Sequence, residues 1–282
     1  MNPTSPIWIS SRVRCSASDP AEHDIINADD ASLAARRAQP SALSDGPQTA
    51  PIRAQHARHP PAGGVRSWPT RSLMTNGTFD RDAWERRWEQ ALREHHNKVA
   101  SRPPNGHLLA ETRGLRPGHA LDAGCGHGAE ALWLATSGWK VTAVDFSPTA
   151  LEHGRSTTLA MGADVAERIA WVEGDLGTWI PPSRHFDLVS CLYVHVAGSV
   201  SEMVTRLGSG VAPGGTLLLV GHRPMDPATG EPTPAAGQVQ VSVDEAADAL
   251  GAHDWEIVVA EERPRAAVGT GVDAVIRAVR RP

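Results

Sequence analysis

The sequence predicts an α/β fold: a Rossmann-like, doubly wound and mostly parallel seven-stranded sheet with helices on both faces. Three observations lead to this prediction. Short apolar or β-branched runs alternate with helical stretches over residues 119–250. A glycine-rich turn at 124–128 joins the first such run to the first of these helices. Two further strand-like runs follow at about 255–261 and 272–279. Alternating strands and helices are typical of βαβ units built on a parallel sheet.

The first 73 of the 282 residues differ in composition from the rest. They are rich in Pro, Ala, Arg and Ser, and their apolar residues follow neither the strand period nor the helix period. A segment that can bury so little apolar surface does not offset the entropy that it loses on folding. We therefore expect a disordered extension over residues 1–73 and a single α/β domain over residues 74–282.

A helix is predicted before the first strand. Asp80 can cap it, and Trp84 and Trp88 share one of its faces. This aromatic stripe either packs against the core or closes over a site beside the first strand. Residues 97–106 contain a Pro-Pro and an Asn-Gly pair and are predicted to form a loop, which leads into a short helix over 107–112.

The elements of the central domain follow from periodicity and turn signals. The apolar run 119–121 ends at the glycine turn, after which a helix extends to about Ser137. A β-branched strand ends at Asp145, and Ser147-Pro148 is typical of a capped helix start. The later elements are strands at 168–173 and 185–192, a helix at 200–211 ended by a turn at Pro213-Gly214-Gly215, a strand at 216–221, a helix at 242–250 and the final strand pair. The sequence thus predicts five βα units followed by a β pair.

Composition and charge exclude several functional classes. The formal net charge is −5 and the sequence pI is near 6.2, which argues against a protein that neutralises a nucleic-acid backbone. The three cysteines show no CxxC spacing, and the 13 histidines have no matching carboxylate or cysteine pattern, so no metal site is predicted. No run approaches the roughly 18 apolar residues of a membrane span. We expect a cytoplasmic enzyme without a membrane or nucleic-acid partner.

The glycine turn and the acids around it predict a site for a nucleoside cofactor. Gly124, Gly126 and Gly128 alternate at the end of a strand, where backbone without Cβ atoms can approach a ligand at a helix N-terminus. Asp145 ends the second strand 21 residues after Gly124, and a carboxylate there can accept hydrogen bonds from both hydroxyls of a ribose. Asp122, two residues before the first glycine, can organise the turn.

These residues, in this order, resemble the core of the class I S-adenosylmethionine-dependent methyltransferases. Leu121–Gly128 is similar to the family's first motif, acid-x-Gly-x-Gly-x-Gly, and the acid at the end of the second strand is similar to its ribose-binding acid. Gly174-Asp175-Leu176 resembles the segment that binds adenine, and Phe186–Val189 resembles the fourth-strand motif. The resemblance is clearest over residues 118–221 and implies the fold predicted above.

The resemblance also implies S-adenosylmethionine as the cofactor and a set of residues that bind it. Asp122 is implied to organise the turn or to face the methionine ammonium. Asp175 is implied to accept a hydrogen bond from the adenine amine while the backbone N–H of Leu176 donates to the ring. Phe146 either lies against the adenine or belongs to the core. Cys125 is implied to be a small loop residue with an available backbone N–H, and not a nucleophile. The implied cofactor-binding residues are Asp122, Gly124, Cys125, Gly126, Gly128, Asp145, Phe146, Asp175, Leu176 and Cys191.

Within this family, the chain is most similar to small-molecule enzymes related to tellurite-resistance and thiopurine methyltransferases, through three short patterns: Trp84-x-x-x-Trp88, Tyr193-x-His195 and Gly221-His222. The segment Ser190–Tyr193 is not the Asn/Asp-Pro-Pro-aromatic motif that acts on flipped bases, so DNA amino-methylation is not expected. The similarity implies a small acceptor, first a thiol or a chalcogen oxyanion and second an oxygen or nitrogen nucleophile. Such relatives often carry an aromatic residue before the glycine turn, where this chain has Val99–Arg102, so the way in which the site is capped stays open.

Two histidines are candidate general bases. His195 follows the fourth strand and His222 follows the fifth, so both are expected at the carboxyl edge of the sheet. Histidine titrates near neutral pH and can remove a proton from an acceptor. His195 is the first candidate, although a structural hydrogen-bonding role fits either residue equally well.

Two other functions are compatible with the same turn. A nicotinamide-dependent oxidoreductase also uses Gly-x-Gly and an acid about 20 residues later. Three features argue against an oxidoreductase: the third glycine is at 128, Asp122 places a charge at a strand end, and an alanine, not a lysine, stands four residues after Tyr193. A non-catalytic nucleotide-binding protein shares the site but not the turnover, and the sequence does not separate it from an enzyme.

Overall fold

The computed structural model describes residues 81–223, 230, 241–264 and 272–282. The expected disordered extension over residues 1–73 and the predicted cap Asp80 lie outside these ranges. Within them, the chain folds around one sheet whose carboxyl edge carries the candidate site.

The sheet has seven strands in the order β3-β2-β1-β4-β5-β7-β6. The strands are β1 (His119–Ala123), β2 (Lys140–Asp145), β3 (Ile169–Glu173), β4 (Phe186–Leu192), β5 (Val211–His222), β6 (Trp255–Pro264) and β7 (Val272–Arg280). Strands β1 to β5 pair in parallel, whereas β7 is antiparallel to both β5 and β6. The predicted doubly wound, mostly parallel sheet is confirmed. Because the strand order reverses between β1 and β4, a crevice opens there at the carboxyl ends of the strands, which is where ligands bind in such sheets.

Helices cover both faces of the sheet. In the described part of the chain they are α1 (Arg81–Ala100), α2 (Gly106–Glu111), α3 (Ala129–Thr136), α4 (Pro148–Met161), α5 (Ala163–Ala166), α6 (Val200–Ser209) and α7 (Val243–Leu250). Leu121 of β1 packs in an apolar cluster with α6 and α7, whereas its neighbour Ala120 packs with α3. Successive strand residues point to opposite faces, so β1 is buried on both sides.

Helix α1 is longer than predicted. It continues to Ala100 across a kink at His95, where φ is −136° and ψ is 31°, so the predicted loop over 97–106 is wrong in its first part. The physical reason is that no glycine or proline occurs between Arg81 and Pro103 to stop the helix. Helix α2 then starts at Gly106, because the Oδ1 atom of Asn105 accepts the backbone N–H groups of the next turn.

Strands β3 and β4 are joined without a helix, so the prediction of five βα units is wrong at this step. Residues 174–185 contain turns but no helix or strand. The pair Pro181-Pro182 removes two N–H donors from this short connection, which a helix there would need.

The turn predicted after α6 lies inside a strand. Helix α6 ends at Ser209, and β5 begins at Val211, before the Pro213–Gly215 segment. The pairing with β4 passes from Phe186↔Val211 to Leu188↔Thr216, so the Pro-Gly-Gly segment forms an irregularity in the ladder. The strand therefore starts earlier than its apolar run indicates.

Candidate functional site

A cavity opens at the carboxyl ends of β1, β2 and β4, under helix α1. Most of the predicted cofactor-binding residues line it, and so does His195. The lining residues are Trp84, Trp88, Arg102, Asp122, Gly124, Cys125, Gly126, His127, Glu130, Asp145, Phe146, Asp175, Leu176, Leu192, Tyr193, Val194, His195 and Val196. The crevice that the strand order creates is thus the place where the sequence motifs meet.

The glycine turn is held closed by hydrogen bonds of its own backbone. The N–H groups of Gly124 and Cys125 both donate to the carbonyl of Val144 on β2, at 2.8 and 3.0 Å. The N–H of Gly128 donates to the carbonyl of Cys125 at 2.8 Å. The expectation that the Cys125 N–H is available to a ligand is therefore wrong, because the parallel neighbour β2 already uses it.

Asp145 fixes the turn from the end of β2. Its Oδ2 atom accepts the N–H of Gly126 at 2.8 Å, and its Oδ1 atom accepts the N–H of Ser147 at 2.9 Å. Burial raises the pKa of this carboxyl, and the two backbone donors act against that rise. An ionised carboxylate has about four lone-pair positions, so both oxygens can still accept from a ligand.

Asp122 lines the cavity and has one buried carboxylate oxygen without a hydrogen-bond partner in the described part of the chain. The hydroxyl of Ser190 lies 3.2 Å from its Oδ1 atom, whereas its Oδ2 atom has no hydrogen-bond partner among the described residues. Burial, followed by repulsion from Glu130, raises the pKa of this carboxyl well above its usual range. A buried carboxylate oxygen without a donor is costly to the protein alone. A cationic ligand group in the cavity would satisfy it.

The other end of the cavity is bounded by the residues that follow β2 and β3. The Oδ1 atom of Asp175 accepts the N–H of Gly177 at 2.8 Å. Its Oδ2 atom takes part in none of the hydrogen bonds seen among the described residues. Leu176 is buried, and its carbonyl accepts from Arg206 at 2.8 Å. Phe146 lines the same cavity and is therefore not a core residue. This end offers an apolar slot with one polar acceptor.

Helix α1 caps the cavity. Gly126 has a φ of +52°, and a Cβ atom there would lie 2.6 Å from Cζ2 of Trp88, so the Trp88 indole rests directly on the glycine turn. Trp84, one turn earlier, stacks on His195 with ring centroids 5.3 Å apart. The question of the cap, which the sequence left open, is answered by the tryptophan stripe.

Three predicted residues do not line the cavity. Gly128 has a φ of +86° and lies against the indole of Trp171, so it serves the packing of the turn. Cys191 is buried among apolar residues, and burial raises the pKa of its thiol to about 12. His222 lies behind Tyr193, where its ring stacks on the phenol at 4.0 Å between centroids. The sequence correctly predicted that these residues lie near the carboxyl edge of the sheet, but it could not predict the direction in which their side chains point.

Sequence reasoning missed three charged or polar residues of the cavity wall, Arg102, His127 and Glu130. Arg102 lies just beyond α1, and its buried Nε atom has no hydrogen-bond partner in the described ranges. His127 lies within the glycine turn; burial, followed by the charge of Arg102, lowers its pKa to about 3, so it is neutral. Its place inside the motif was a usable signal, whereas nothing in the local pattern marks Arg102.

The described residues show neither a metal centre nor a membrane span. No group of three or more His, Cys, Asp or Glu side chains in this part of the chain is arranged to hold a metal ion. None of its helices combines the length and the apolarity that crossing a bilayer requires.

Comparisons with known proteins match the part of the chain that carries this site. Residues 120–215 match a protein family described as a methyltransferase domain. The trans-aconitate 2-methyltransferase of Paracidovorax citrulli is 31% identical over 139 residues, which cover 47% of this chain and 49% of that protein. The probable thiol methyltransferase 2 of Arabidopsis thaliana is 30% identical over 152 residues, which cover 53% of this chain and 65% of that protein. The chain thus spans about half of the first relative and just under two thirds of the second.

A solved structure shares the fold. The S-adenosylmethionine-dependent methyltransferase from Mesorhizobium loti superimposes with a TM-score of 0.50 at 20% identity, covering 61% of this chain and 96% of that one. At this identity the likeness concerns the fold alone, because one fold hosts many chemistries.

Proposed function

We propose, from the premise that this chain belongs to the class I S-adenosylmethionine-dependent methyltransferases, that it transfers a methyl group from S-adenosylmethionine to a small-molecule acceptor. The observation that carries the proposal is the unsatisfied Oδ2 atom of Asp122, which lies in the cavity wall beside a glycine turn held by Asp145. Both features suit a ligand that combines a cationic amino-acid end with a ribose.

The cavity residues match the parts of this cofactor one by one. Asp122 is suited to the methionine ammonium and Arg102 to the methionine carboxylate, because each has a buried polar atom without a partner in the described chain. Asp145 is suited to the ribose hydroxyls. Asp175 and Leu176, with the ring of Phe146 nearby in the wall, are suited to the adenine.

The charge of the cavity also fits. Among the described residues, four carboxylates line it, those of Asp122, Glu130, Asp145 and Asp175, against one arginine, Arg102. S-adenosylmethionine carries an ammonium, a sulfonium and a carboxylate, a net charge of about +1, so a negative wall attracts it. The same wall disfavours an anionic acceptor. A neutral thiol therefore stays the first candidate acceptor, and a chalcogen oxyanion is less favoured than the sequence resemblance implied.

When bound, S-adenosylmethionine supplies a methyl group on a sulfonium, whose C–S bond breaks with the electron pair going to sulfur. The work left to this chain is to align the acceptor and to exclude water. Trp84 and Trp88 close the cavity from α1 and so restrict water. His195 is our candidate base: it lines the cavity beside Trp84 and can take the proton that a protic acceptor loses as its new bond to carbon forms. A thiol, which ionises near neutral pH, needs this help less than a phenol or an amine.

Two measurements on the full chain test the proposal. Calorimetry should show saturable binding of S-adenosylhomocysteine and none of NADH. A panel of thiols, phenols, amines and oxyanions is then screened for production of S-adenosylhomocysteine from S-adenosylmethionine. Binding of NADH alone would support the oxidoreductase alternative, and tight binding of the cofactor without turnover on any acceptor would support a non-catalytic protein.

A further inference from the structure

A fully buried carboxylate lies behind the cavity. Asp273 on β7 has no exposed surface and pairs across the sheet with His222 on β5. Its Oδ1 atom lies 3.1 Å from Nδ1 of His222, and its Oδ2 atom lies 3.2 Å from Nε2 of His107. The hydroxyl of Tyr193 donates to the same Oδ2 atom at 2.8 Å. A carboxylate buried this completely is tolerated only when its oxygens are well hydrogen-bonded, as these are.

Tyr193 is held on every side by this arrangement. The backbone φ of Tyr193 is +57°. Among the described residues other than glycine, only Arg184 also has a positive φ. A bulky aromatic residue seldom adopts this conformation, and such strained residues concentrate at functional sites. The N–H of Tyr193 donates to the carbonyl of Val220 at 2.7 Å, and its hydroxyl accepts from Asn105 at 3.2 Å. With its ring stacked on His222, the side chain has little freedom left.

The fixed ring of Tyr193 is part of the cavity wall. It lies two residues before His195 on the same segment after β4, and His195 stacks on Trp84 of α1. The ring of Tyr193, backed by His222, and the stacked rings of Trp84 and His195 therefore form flat parts of the cavity wall. Rigid flat walls favour a flat ligand, since ring-to-ring contacts add to its burial and the wall loses no further entropy.

We infer that Tyr193 and the Trp84–His195 pair form the acceptor subsite, and that this subsite takes a flat, uncharged aromatic compound. Asp273 is then a positioning residue, which acts through the Tyr193 hydroxyl. The inference rests on the proposed function, because it assigns the acceptor side of the same cavity. The preference for an uncharged compound follows from the carboxylates of Asp122 and Glu130 in the wall. The preference for a flat one follows from the two stacked pairs.

The sequence provides a direct probe, because it contains one tyrosine. Full-length protein carrying ring-labelled ¹³C-tyrosine and saturated with S-adenosylhomocysteine gives a tyrosine signal from Tyr193 alone. Phenol should move this signal saturably, whereas cyclohexanol, of similar size but not flat, and benzoate, flat but charged, should bind about twofold to tenfold more weakly. A Tyr193 signal that phenol leaves in place, or that cyclohexanol moves equally well, would overturn the inference.

A pair of carboxylate-to-amide variants separates positioning from stability. Asp273→Asn should weaken phenol binding several-fold and leave the affinity for S-adenosylhomocysteine within about twofold. Glu111→Gln is the matched control, since Glu111 is also buried, lies on α2 near His107 and bonds Arg263. It should lower the melting temperature without changing either affinity. Equal effects of the two variants on phenol binding would reduce Asp273 to a structural residue.

Tyr193→Phe serves if Asp273→Asn does not fold. It keeps the ring and removes the hydroxyl anchor, and phenol binding is then followed by saturation-transfer signals of the phenol itself. Weaker phenol binding with unchanged cofactor affinity supports the inference, and unchanged phenol binding contradicts it. Failure of wild-type protein to bind S-adenosylhomocysteine would count against the proposed function instead, so the two failures are distinguishable.

Discussion

The carboxylate of Asp145 accepts the backbone N–H of Gly126 at 2.8 Å and so joins the end of β2 to the glycine turn after β1. The glycine turn and the acid at the end of β2 are therefore structurally coupled. A substitution at Asp145 would remove the proposed contact with the ribose and also free the turn on which Trp88 rests.

Asp145→Ala should weaken binding of S-adenosylhomocysteine by roughly 1.5–3 kcal/mol, or about 10- to 150-fold, the scale of hydrogen bonds to a charged group. Calorimetry measures the change. The control is Asp187→Ala, because Asp187 accepts the N–H of His119 at the opposite, amino edge of the sheet. An equal loss in the control would mean that the effect is a general loosening of the sheet.

Asp122→Asn should stabilise the ligand-free protein while weakening its binding. Burial raises the pKa of Asp122 well above its usual range, so the folded state binds more protons than the unfolded state above about pH 4. This group therefore lowers the stability of the wild type as the pH rises from that point. The gain in melting temperature should be near zero at about pH 4 and grow toward neutral pH.

The same Asn variant should bind S-adenosylhomocysteine roughly 10- to 150-fold more weakly, because an amide cannot neutralise an ammonium. A variant that binds as tightly as the wild type would show that the Oδ2 atom does not face the ligand. A variant that loses stability at neutral pH would contradict the predicted cost of burying this carboxyl.

Gly126→Val should impair cofactor binding through Trp88. The new side chain enters the space of the Trp88 indole at a φ of +52°, so the indole must move off the turn. Trp88→Leu in the same chain should relieve part of the defect, giving a coupling free energy of about 0.5–3 kcal/mol in a double-mutant cycle of binding. Strictly additive effects would place the damage elsewhere than at this contact.

His195→Ala should report the chemistry of the acceptor. With a thiol acceptor, kcat should fall only modestly, because a thiol loses its proton more readily than a phenol or an amine and needs less help from a base. With a phenol or an amine, kcat should fall by about 10²- to 10⁴-fold. His253→Ala, at a fully exposed histidine, is the control. A loss of cofactor binding with no change in kcat would assign His195 to the cofactor and not to the acceptor.

Local sequence patterns were sufficient to predict most of the fold and part of the candidate site. Periodicity identified all seven strands, and the spacing between the glycine turn and Asp145 indicated the end of the cavity that we propose for the cofactor. The errors were also local in origin. Helix α1 ran past residue 97 because no breaker stopped it, and the connection from β3 to β4 proved too short and too rich in proline for a helix.

What the sequence by itself determined was the order of the elements and the acids at the strand ends, because alternation, glycine turns and caps are properties of neighbouring residues. Tertiary structure alone decided how each side chain is used. It turned the Cys125 amide toward Val144, laid Trp88 on Gly126, and brought Tyr193 and Asp273, 80 residues apart, to 2.8 Å. Such contacts depend on strand register and helix packing between distant segments, and no short stretch of sequence carries that information.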